Sequence, residues 1–415
     1  MKVVGFVTEY NPFHLGHRYH LKTSKQLTNS THSIAVMSGS FVQRGEPSLI
    51  DKWTKAKIAI ENGVDLVIEL PFVYSVQSGE LFAYGAVRIL NSLNVVDYLS
   101  FGSETENLEE LETMANIFYE EPYEFKAYLK SYLNKGHSFS AARSKALSDY
   151  INMVNPKDTS YYTKILKQSN NILGIEYLKS LRRLKSNITP ISIKRKGNKY
   201  NDTDLTSEIC SATSIRNRIL NDELKTIKEY ISYETYKNLE GFINKYGLFN
   251  SMSNYNEIFQ YIFRTVDKYQ LNKIFDMENG LENRIISSGG KYINIEELIK
   301  DVMTKRYPST RIKRILIHLL ANLGKDTITQ VYENPITYIR ILGSNKKGLE
   351  ILRSIKENSN VNIITKFADY KLLNDDLINL MLKYEVKATD LYYLGIAKEK
   401  PIVNMDYFKS PYILK

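Results

Sequence analysis

Short apolar runs alternate with amphipathic stretches along the first hundred residues of the chain. The apolar runs, which are rich in β-branched residues, cover 3–8, 33–37, 64–70 and 95–101. Runs of this length and composition are typical of buried parallel strands, and the apolar spacing between them is typical of helices. The alternation therefore predicts an open, parallel α/β sheet of Rossmann-like type, in which ligands bind beyond the carboxyl ends of the strands.

The remainder of the chain has a different pattern. The composition from about 105 to 185 favours helices, and the next apolar strand pattern is 188–194. From 222 onward, apolar residues recur at helical spacing between breaks that contain Gly or Pro. Because 415 residues exceed a typical single core, we predict two domains. The first, residues 1–220, carries a helical insertion at about 105–185, and the second, residues 221–415, is mainly α-helical.

The strand pattern at 3–8 leads into the most informative stretch, which ends at His20. A polar, proline-containing break follows the strand, and a helix is predicted to begin near Gly16. Free N–H groups and the positive dipole end of a helix N-terminus attract anions, and Gly16 lets a phosphate approach the backbone. His14 and His17, at i and i+3, would project toward one point as hydrogen-bond donors. The stretch therefore predicts a nucleoside triphosphate site, which His20 could join.

The His-x-Gly-His spacing is a specific signal. With six histidines and twenty glycines in the chain, chance placement gives roughly 0.004 occurrences, even before the preceding strand is required. The competing interpretation is that the two histidines only cap the helix or pack at its start.

A second hydroxyl-rich helix start lies at 211–216 (SATSIR). Ser and Thr favour N-caps, the free N–H groups there bind anions, and Arg216 adds a positive charge in the first turn. An ordinary capped helix with a surface arginine is the alternative interpretation. Asn170, near the start of another predicted helix, could read a base or ribose through its amide, although N-capping explains it equally well. Arg195 is suited to bidentate pairing with phosphate.

These motifs resemble those of a known family. The turn His14-Leu15-Gly16-His17 resembles the signature of the nucleotidyltransferase superfamily, and the stretch from Thr8 to His17 resembles the bacterial tRNA(Met) cytidine acetate ligase family. In the second half the resemblance is looser and concerns length and helical character more than motifs. In the first 220 residues it continues at GSFVQRGE (39–46), FGSE (101–104), NNILGIE (170–176) and SATSIR (211–216).

The resemblance implies an ATP-dependent ligase. Acetate and ATP would give acetyl-adenylate and pyrophosphate, and the acetyl group would pass to N4 of the wobble cytidine of elongator tRNA(Met), forming N4-acetylcytidine. A carboxylate is already an anion and attacks the α-phosphate without a general base. Mg²⁺ is expected to bind together with ATP.

The resemblance, together with the physical arguments above, also assigns residues to the site. Thr8, His14 and His17 are expected to be catalytic. The expected ATP-binding residues are Val7, Thr8, Glu9, Tyr10, Asn11, Pro12, Phe13, His14, Leu15, Gly16, His17, Arg18, Tyr19, His20, Gly102, Asn170, Arg195, Thr213, Ser214 and Arg216.

The chain carries a net charge of +10, which favours a polyanionic partner such as tRNA. Two basic clusters without acidic residues lie at 182–199 and 305–314. Solvated helix faces are the ordinary explanation of such runs, and contact with tRNA phosphates is the alternative. Under that alternative the expected RNA-binding residues are Lys194, Lys196, Lys199, Lys305, Arg306, Arg311, Lys313 and Arg314.

Several classes of protein are disfavoured by composition. No apolar run approaches the roughly 18 residues that a membrane span needs, and the N-terminus lacks a secretory pattern. We therefore expect a cytoplasmic protein without a membrane partner. The single cysteine, Cys210, excludes an intrachain disulfide and a Cys-rich zinc site, in agreement with a reducing compartment.

Two other functions stay open from sequence alone. One is a metabolic adenylyltransferase that makes a nucleotide cofactor, and the other is a non-catalytic RNA-binding protein on a nucleotidyltransferase scaffold. The large basic second part of the chain argues against the first. The presence of both motif histidines together with Thr213, Ser214 and Arg216 argues against the second.

Overall fold

The computed structural model describes residues 1–105, 107–154, 162, 164–195, 210–397 and 399–415. One large sheet and one two-stranded hairpin account for the strands in these ranges. The strands are β1 (Val3–Thr8), β2 (His32–Ser38), β3 (Phe41–Val42), β4 (Glu46–Pro47), β5 (Leu66–Leu70), β6 (Tyr98–Ser103), β7 (Thr189–Lys194), β8 (Tyr338–Ser344), β9 (Asn362–Ile364) and β10 (Tyr412–Ile413).

The large sheet has the order β10-β8-β5-β2-β1-β6-β7, and β9 also pairs with β8. From β5 to β7 all neighbouring strands are parallel, so the carboxyl ends of β1, β6 and β7 lie at the same edge. The β2 strand is buried at every residue, as a strand in the middle of a parallel sheet should be. The Rossmann-like α/β architecture predicted from the apolar runs is thereby confirmed.

Helices connect the parallel strands. Side chains cap two of them, since Asp51 accepts from the N–H groups of Trp53 and Thr54, and Ser78 accepts from that of Leu81. The helices of the first half are α1 (Leu15–Thr28), α2 (Lys52–Glu61), α3 (Phe72–Ser75), α4 (Gly79–Ser92), α5 (Leu108–Glu120), α6 (Tyr123–Asn134), α7 (Phe139–Val154), α8 (Ser169–Arg183) and α9 (Ala212–Leu220).

The second half is dominated by helices. None of the described helices is long and apolar enough to span a membrane. The α-helices are α10 (Tyr233–Tyr246), α11 (Asn256–Thr265), α12 (Lys268–Lys273), α13 (Leu281–Gly289), α14 (Ile295–Val302), α15 (Ser309–Ala321), α16 (Lys325–Glu333), α17 (Lys346–Asn358), α18 (Asp376–Leu394) and α19 (Met405–Phe408), and 3₁₀ turns cover Leu224–Tyr230, Met252–Tyr255 and Phe367–Leu373.

Strands β8, β9 and β10 extend the sheet with residues from the second half of the chain. β8 runs antiparallel to β5, and both β9 and β10 run parallel to β8. The sequence analysis did not predict these strands, because β8 is a short apolar segment interrupted by Arg340 and lies between helical patterns. The division of the chain into two domains near residue 220 stays a prediction.

A buried ionic cluster joins β8 to the first half of the chain. Lys52 Nζ lies 2.7 Å from Glu69 Oε1 and 2.7 Å from Asp406 Oδ1, and Arg340 Nη1 lies 3.0 Å from Glu69 Oε2 and also pairs with Asp406. Burial alone would raise the pKa of Asp406, but Lys52 and Arg340 hold it below its usual value. Both cations thus pair with Glu69 and Asp406, which lie far apart in sequence, and Lys52 Nζ also lies 3.9 Å from Glu385 Oε2.

Lys52→Met should lower the free energy of unfolding by about 3–5 kcal/mol, because it leaves two buried carboxylates with Arg340 as their cationic partner. The measurement is urea denaturation at pH 7. Lys57→Met on the same helix is the matched control. Its ion pair with Glu61 spans 3.9 Å at the surface, so it should cost under about 1 kcal/mol. Equal losses in the two variants would contradict a structural role for the cluster.

Candidate active site

A cleft lies at the carboxyl ends of β1, β6 and β7. It contains about 1410 Å³ of empty space, a volume that includes open solvent. The predicted site residues that line it are Val7, Thr8, Glu9, Tyr10, Asn11, His14, Gly16, His17, Tyr19, His20, Gly102, Asn170, Lys194, Arg195, Thr213 and Arg216.

The turn between β1 and α1 is held by residues outside the motif. The buried Lys55 Nζ donates to the carbonyl oxygen of Glu9 at 3.2 Å and to that of Ser38 at 2.6 Å. Burial lowers the pKa of Lys55 to about 7. Asn11 Oδ1 accepts a hydrogen bond from the Leu49 N–H at 2.8 Å. The turn therefore has a fixed shape that depends on α2 and on the segment before it.

His14 and His17 together form the cap of α1. His14 Nδ1 accepts from the Gly16 N–H at 3.0 Å, and His17 Nδ1 accepts from the His14 N–H at 3.3 Å. The two rings stack with their centroids 3.8 Å apart. Since each Nδ1 is an acceptor, a neutral ring must carry its proton on Nε2. Capping and ligand binding are thus compatible, because each ring has a second nitrogen available as a donor.

The local environment keeps these imidazoles neutral. Burial lowers the pKa of His14 to about 3, with Arg195 and Arg216 adding to the effect. Burial also lowers the pKa of His17 well below its usual value, and His14 and Arg195 act in the same direction. The two rings therefore offer neutral N–H donors, and the positive charge of the cleft comes from the guanidinium groups.

His20 belongs to a hydrogen-bond chain behind the cleft. Ser24 Oγ donates to the His20 carbonyl at 2.7 Å, so in its 2.7 Å contact with Ser100 Oγ it must accept. Ser100 in turn accepts from His20 Nε2 at 2.9 Å. Burial lowers the pKa of His20 to about 4, which leaves a neutral ring with an unprotonated Nδ1. His20 thus differs from His14 and His17, since its second nitrogen is an acceptor.

Asn170 and Arg195 meet on the opposite side of the cleft. Asn170 Nδ2 donates to Glu104 Oε1 at 2.6 Å, and its Oδ1 accepts from Arg195 Nη1 at 3.3 Å. The N-cap of α8 is Gln168, so Asn170 is not the capping residue. A side chain at Gly102 would begin 3.3 Å from Arg195 Cγ. Gly102 therefore leaves room for the arginine to lie across the end of β6.

The start of α9 completes the cationic side of the cleft. Ser211 caps the helix by accepting from the Ser214 N–H at 3.1 Å. Arg216 Nη1 donates to the carbonyl of Asn11 at 2.8 Å, and its Nη2 donates to Thr213 Oγ1 at 3.3 Å. These contacts join α9 to the turn before α1. The start of α9, with its hydroxyl groups, and the start of α1, with its histidines, therefore face the same space.

Five of the predicted ATP-binding residues do not line the cleft. Pro12, Phe13 and Ser214 are buried, and Phe13 packs edge-on against Tyr10. The Ser214 hydroxyl donates to the Ser211 carbonyl. Leu15 is half-buried and Arg18 is exposed. These residues shape or flank the turn and the helix starts.

The sequence analysis did not assign the β3–β4 hairpin to the site. Val42, Gln43, Arg44 and Glu46 line the cleft, and the Gln43 N–H donates to Glu9 Oε1 at 2.7 Å. The GSFVQRGE motif was the available signal. Its apolar and charged residues do not alternate regularly, so the sequence did not indicate which of these side chains face the cleft.

The apolar wall of the cleft was also missed. It comes from α4, β6, α8 and β7, which are distant in sequence, and no local pattern separates its members from core residues. These residues are Phe82, Phe101, Leu173, Tyr177 and Ile193.

The predicted RNA-binding residues are dispersed in the structure. Lys196 and Lys199 lie outside the described residues. Lys305 is exposed, and Arg306 pairs with Glu278 at the surface. Three more have surroundings within the protein. Arg311 pairs with Asp276 and Glu278, Lys313 pairs with Glu46 and Glu296, and Arg314 is buried.

Among the residues that the structure describes, no group of three or more His, Cys, Asp or Glu side chains could hold a metal ion. The histidines of the motif have their Nδ1 atoms engaged in the helix cap. The neutral N–H donors of the two histidines and the guanidinium groups beside them suit the cleft to an anionic ligand.

Comparison with known proteins gives a consistent result. The model of the HIGH Nucleotidyl Transferase family matches residues 1–405. The tRNA(Met) cytidine acetate ligase of Thermoanaerobacter sp. (strain X514) is 46% identical over 408 residues, which cover 98% of each chain. That of Clostridium perfringens (strain ATCC 13124) is 43% identical over 419 residues, covering each chain completely.

Two solved structures are similar over their whole length. The apo form of Thermotoga maritima TmcAL is 34% identical, with a TM-score of 0.96 and complete coverage of both chains. A second form of the same protein, bound with alpha-thio ATP, has a TM-score of 0.93 at the same identity and coverage.

The geometry of the helix cap predicts the protonation state of the motif histidines. In the ligand-free protein at pH 6, both His14 and His17 should be neutral Nε2–H tautomers, whereas an unperturbed histidine would be mostly protonated. ¹⁵N chemical shifts of histidine-labelled protein report this directly, and His14→Asn and His17→Gln identify the resonances. Imidazolium signals at these two positions at pH 6 would contradict the assignment.

Proposed function

The chain belongs to the tRNA(Met) cytidine acetate ligase family of HIGH nucleotidyl transferases, and from this premise we propose that it activates acetate with ATP and acetylates tRNA. Acetate attacks the α-phosphate of ATP, acetyl-adenylate forms, and pyrophosphate leaves. The acetyl group then passes to N4 of the wobble cytidine of elongator tRNA(Met), and AMP is released. We assign this reaction to the cytoplasm, where ATP and tRNA are found.

The observation that carries the proposal is that two neutral histidine donors and two guanidinium groups lie together in the cleft. His14 and His17 each have Nε2 available while Nδ1 caps α1. Arg195 and Arg216 supply positive charge beside them. Negative charge accumulates on the phosphates during in-line displacement, and preorganised donors and cations stabilise that charge. Acetate needs no base, so the adenylation step requires no residue to remove a proton.

The apolar wall is suited to the base of the nucleotide. Phe82, Phe101 and Leu173 present ring and aliphatic surface, against which a purine packs favourably. Asn170 lies at the edge of this wall, and its amide is oriented by Glu104 and Arg195. We therefore propose that adenine binds between α8 and β7 and that the triphosphate extends toward α9.

Mg²⁺ is proposed to enter with ATP. The described residues offer no cage of protein ligands, which agrees with the preference of Mg²⁺ for substrate phosphates and water. When bound, the ion would neutralise part of the charge on the pyrophosphate that leaves. The proposed contribution of the protein is to orient the α-phosphate.

The tRNA contact surface is proposed from charge alone. The overall charge of +10 favours a nucleic acid. Lys194 lies at the cleft and Lys305 is exposed. These two residues are the simplest candidates of the predicted set for contact with phosphates.

Acetate-dependent exchange of labelled pyrophosphate into ATP tests the first step. His14→Ser keeps an oxygen acceptor for the N-cap of α1, and His17→Ala gives up only the second contact of the cap. Both variants lose the Nε2 donor of the imidazole, so kcat for exchange should fall about 10²–10³-fold while the fold is retained. Thermal unfolding is the control for the fold. Wild-type exchange rates in both variants would contradict the role of the imidazoles.

The wild-type protein separates the candidate functions in the same assay. Exchange with a nucleotide-cofactor precursor in place of acetate would indicate a metabolic adenylyltransferase. ATP-independent tRNA binding without any exchange would indicate an RNA-binding protein without catalysis.

The second step predicts a defined product. Incubation of unmodified elongator tRNA(Met) with the protein, ATP and acetate should yield N4-acetylcytidine, and replacing acetate and ATP by acetyl-CoA should not. Mass analysis of the tRNA nucleosides measures this, and initiator tRNA is the matched control. Acetylation from acetyl-CoA alone would contradict an acetyl-adenylate route.

A further inference from the structure

Lys313 lies on α15, almost three hundred residues after the histidine motif, yet its side chain contacts a residue that lines the cleft. Its Nζ lies 2.9 Å from Glu46 Oε1 and 3.3 Å from Glu296 Oε1. Glu46 lines the cleft from the β3–β4 hairpin, and Glu296 lies in the first turn of α14. Lys313 thus joins the site to two helices of the second half.

The hairpin has a fixed position on α15. Gly45, at its tip, has φ +77°, and an added Cβ would lie 2.3 Å from the backbone nitrogen of Arg314. The hairpin backbone therefore packs directly on the backbone of α15, in a conformation that favours glycine. Since Gly45 precedes Glu46, this contact places the carboxylate of Glu46 next to Lys313.

Glu46 also lies within the field of the guanidinium groups of the cleft. Although burial opposes ionisation, Lys313 and, to a smaller extent, Arg216 and Arg44 hold the pKa of Glu46 below its usual value. The hydrogen-bond acceptors of Arg216 are the Asn11 carbonyl and the Thr213 hydroxyl. Both are uncharged, so neither neutralises the arginine.

We propose that Lys313 is a positioning residue of the nucleotide site. It holds the Glu46 carboxylate, so that the positive charge of Arg216 is available to pair with a triphosphate oxygen. This inference rests on the proposed ATP site. Lys313 and Glu46 form a pair in which the lysine satisfies the carboxylate from the α15 side. Arg216 then faces the cleft as a cation that an anionic ligand can pair with.

The pair explains why a carboxylate is tolerated in a cleft for a triphosphate. An unpaired Glu46 would repel the phosphates and would itself attract Arg216. With Lys313 in place, the charge of Glu46 is offset by a lysine that it shares with the more exposed Glu296. Lys313 therefore acts on ATP through Glu46 and Arg216, and it is not required to contact tRNA.

ATP affinity, measured by calorimetry without acetate or tRNA, tests the proposal. Lys313→Met should raise the Kd for ATP about ten- to hundredfold, the value of one charge-assisted hydrogen bond. Lys313→Arg should retain affinity within a few fold. The double variant Lys313→Met with Glu46→Gln should recover most of the loss, because no carboxylate remains to compete for Arg216. Lys300→Met, at an exposed position on α14, is the matched control and should match the wild type.

The proposal and a tRNA-contact role give opposite results. If Lys313→Met lowers tRNA affinity and its salt dependence while the Kd for ATP is unchanged, Lys313 is a phosphate contact and the proposal is wrong. If the double variant binds ATP no better than Lys313→Met, the lysine only stabilises the fold and the proposal is also wrong. Thermal unfolding of each variant accompanies the binding data.

Failure of the acetate ligase function is distinguishable from failure of this inference. A wild-type protein that binds ATP but shows no acetate-dependent exchange would refute the proposed reaction, and the variants would still decide the role of Lys313 through the Kd for ATP. A wild-type protein that does not bind ATP would overturn both.

Discussion

The buried ionic cluster of Lys52, Glu69, Arg340 and Asp406 is the constraint on which the rest of the structure depends. It joins α2, β5, β8 and α19 through ion pairs, and the loss of any one member would leave a buried charge without its partner. Gly39, at the end of β2, lies against it, since an added Cβ would be 2.6 Å from Glu69 Oε1. The segment that leads into the cleft hairpin therefore rests directly on the cluster, and the position of the hairpin follows from it.

The two motif histidines cap a helix and keep a donor for the proposed ligand, and the chemistry of imidazole allows both. An aspartate cap has only acceptor oxygens, whereas each imidazole caps with Nδ1 and retains an N–H donor at Nε2. Burial keeps both rings neutral. The helix start and the proposed phosphate site are consequently one arrangement, because His14 and His17 cap α1 and each keeps a donor for a ligand.

Local periodicity was sufficient to predict the parallel strands, because a buried strand leaves a continuous apolar run in the sequence. It was insufficient for β8, whose central Arg340 is buried only because Glu69 and Asp406 neutralise it. The same limit applies to the site. The His-x-Gly-His turn is local and was recognised, whereas the pairing of Lys313 with Glu46 joins residues that only the folded chain brings together. A basic run therefore looks the same in sequence whether it faces solvent or a carboxylate.

The antiparallel junction between β5 and β8 has a consequence for protein synthesis. Glu69 and Lys52 emerge from the ribosome early, whereas Asp406 follows about 20 to 70 s later at ordinary rates of translation. During that interval β5 has no partner on the side that β8 will occupy, and an open strand edge is a site for pairing with other chains. The edge of β5 therefore stays open to other strands until β8 has been made.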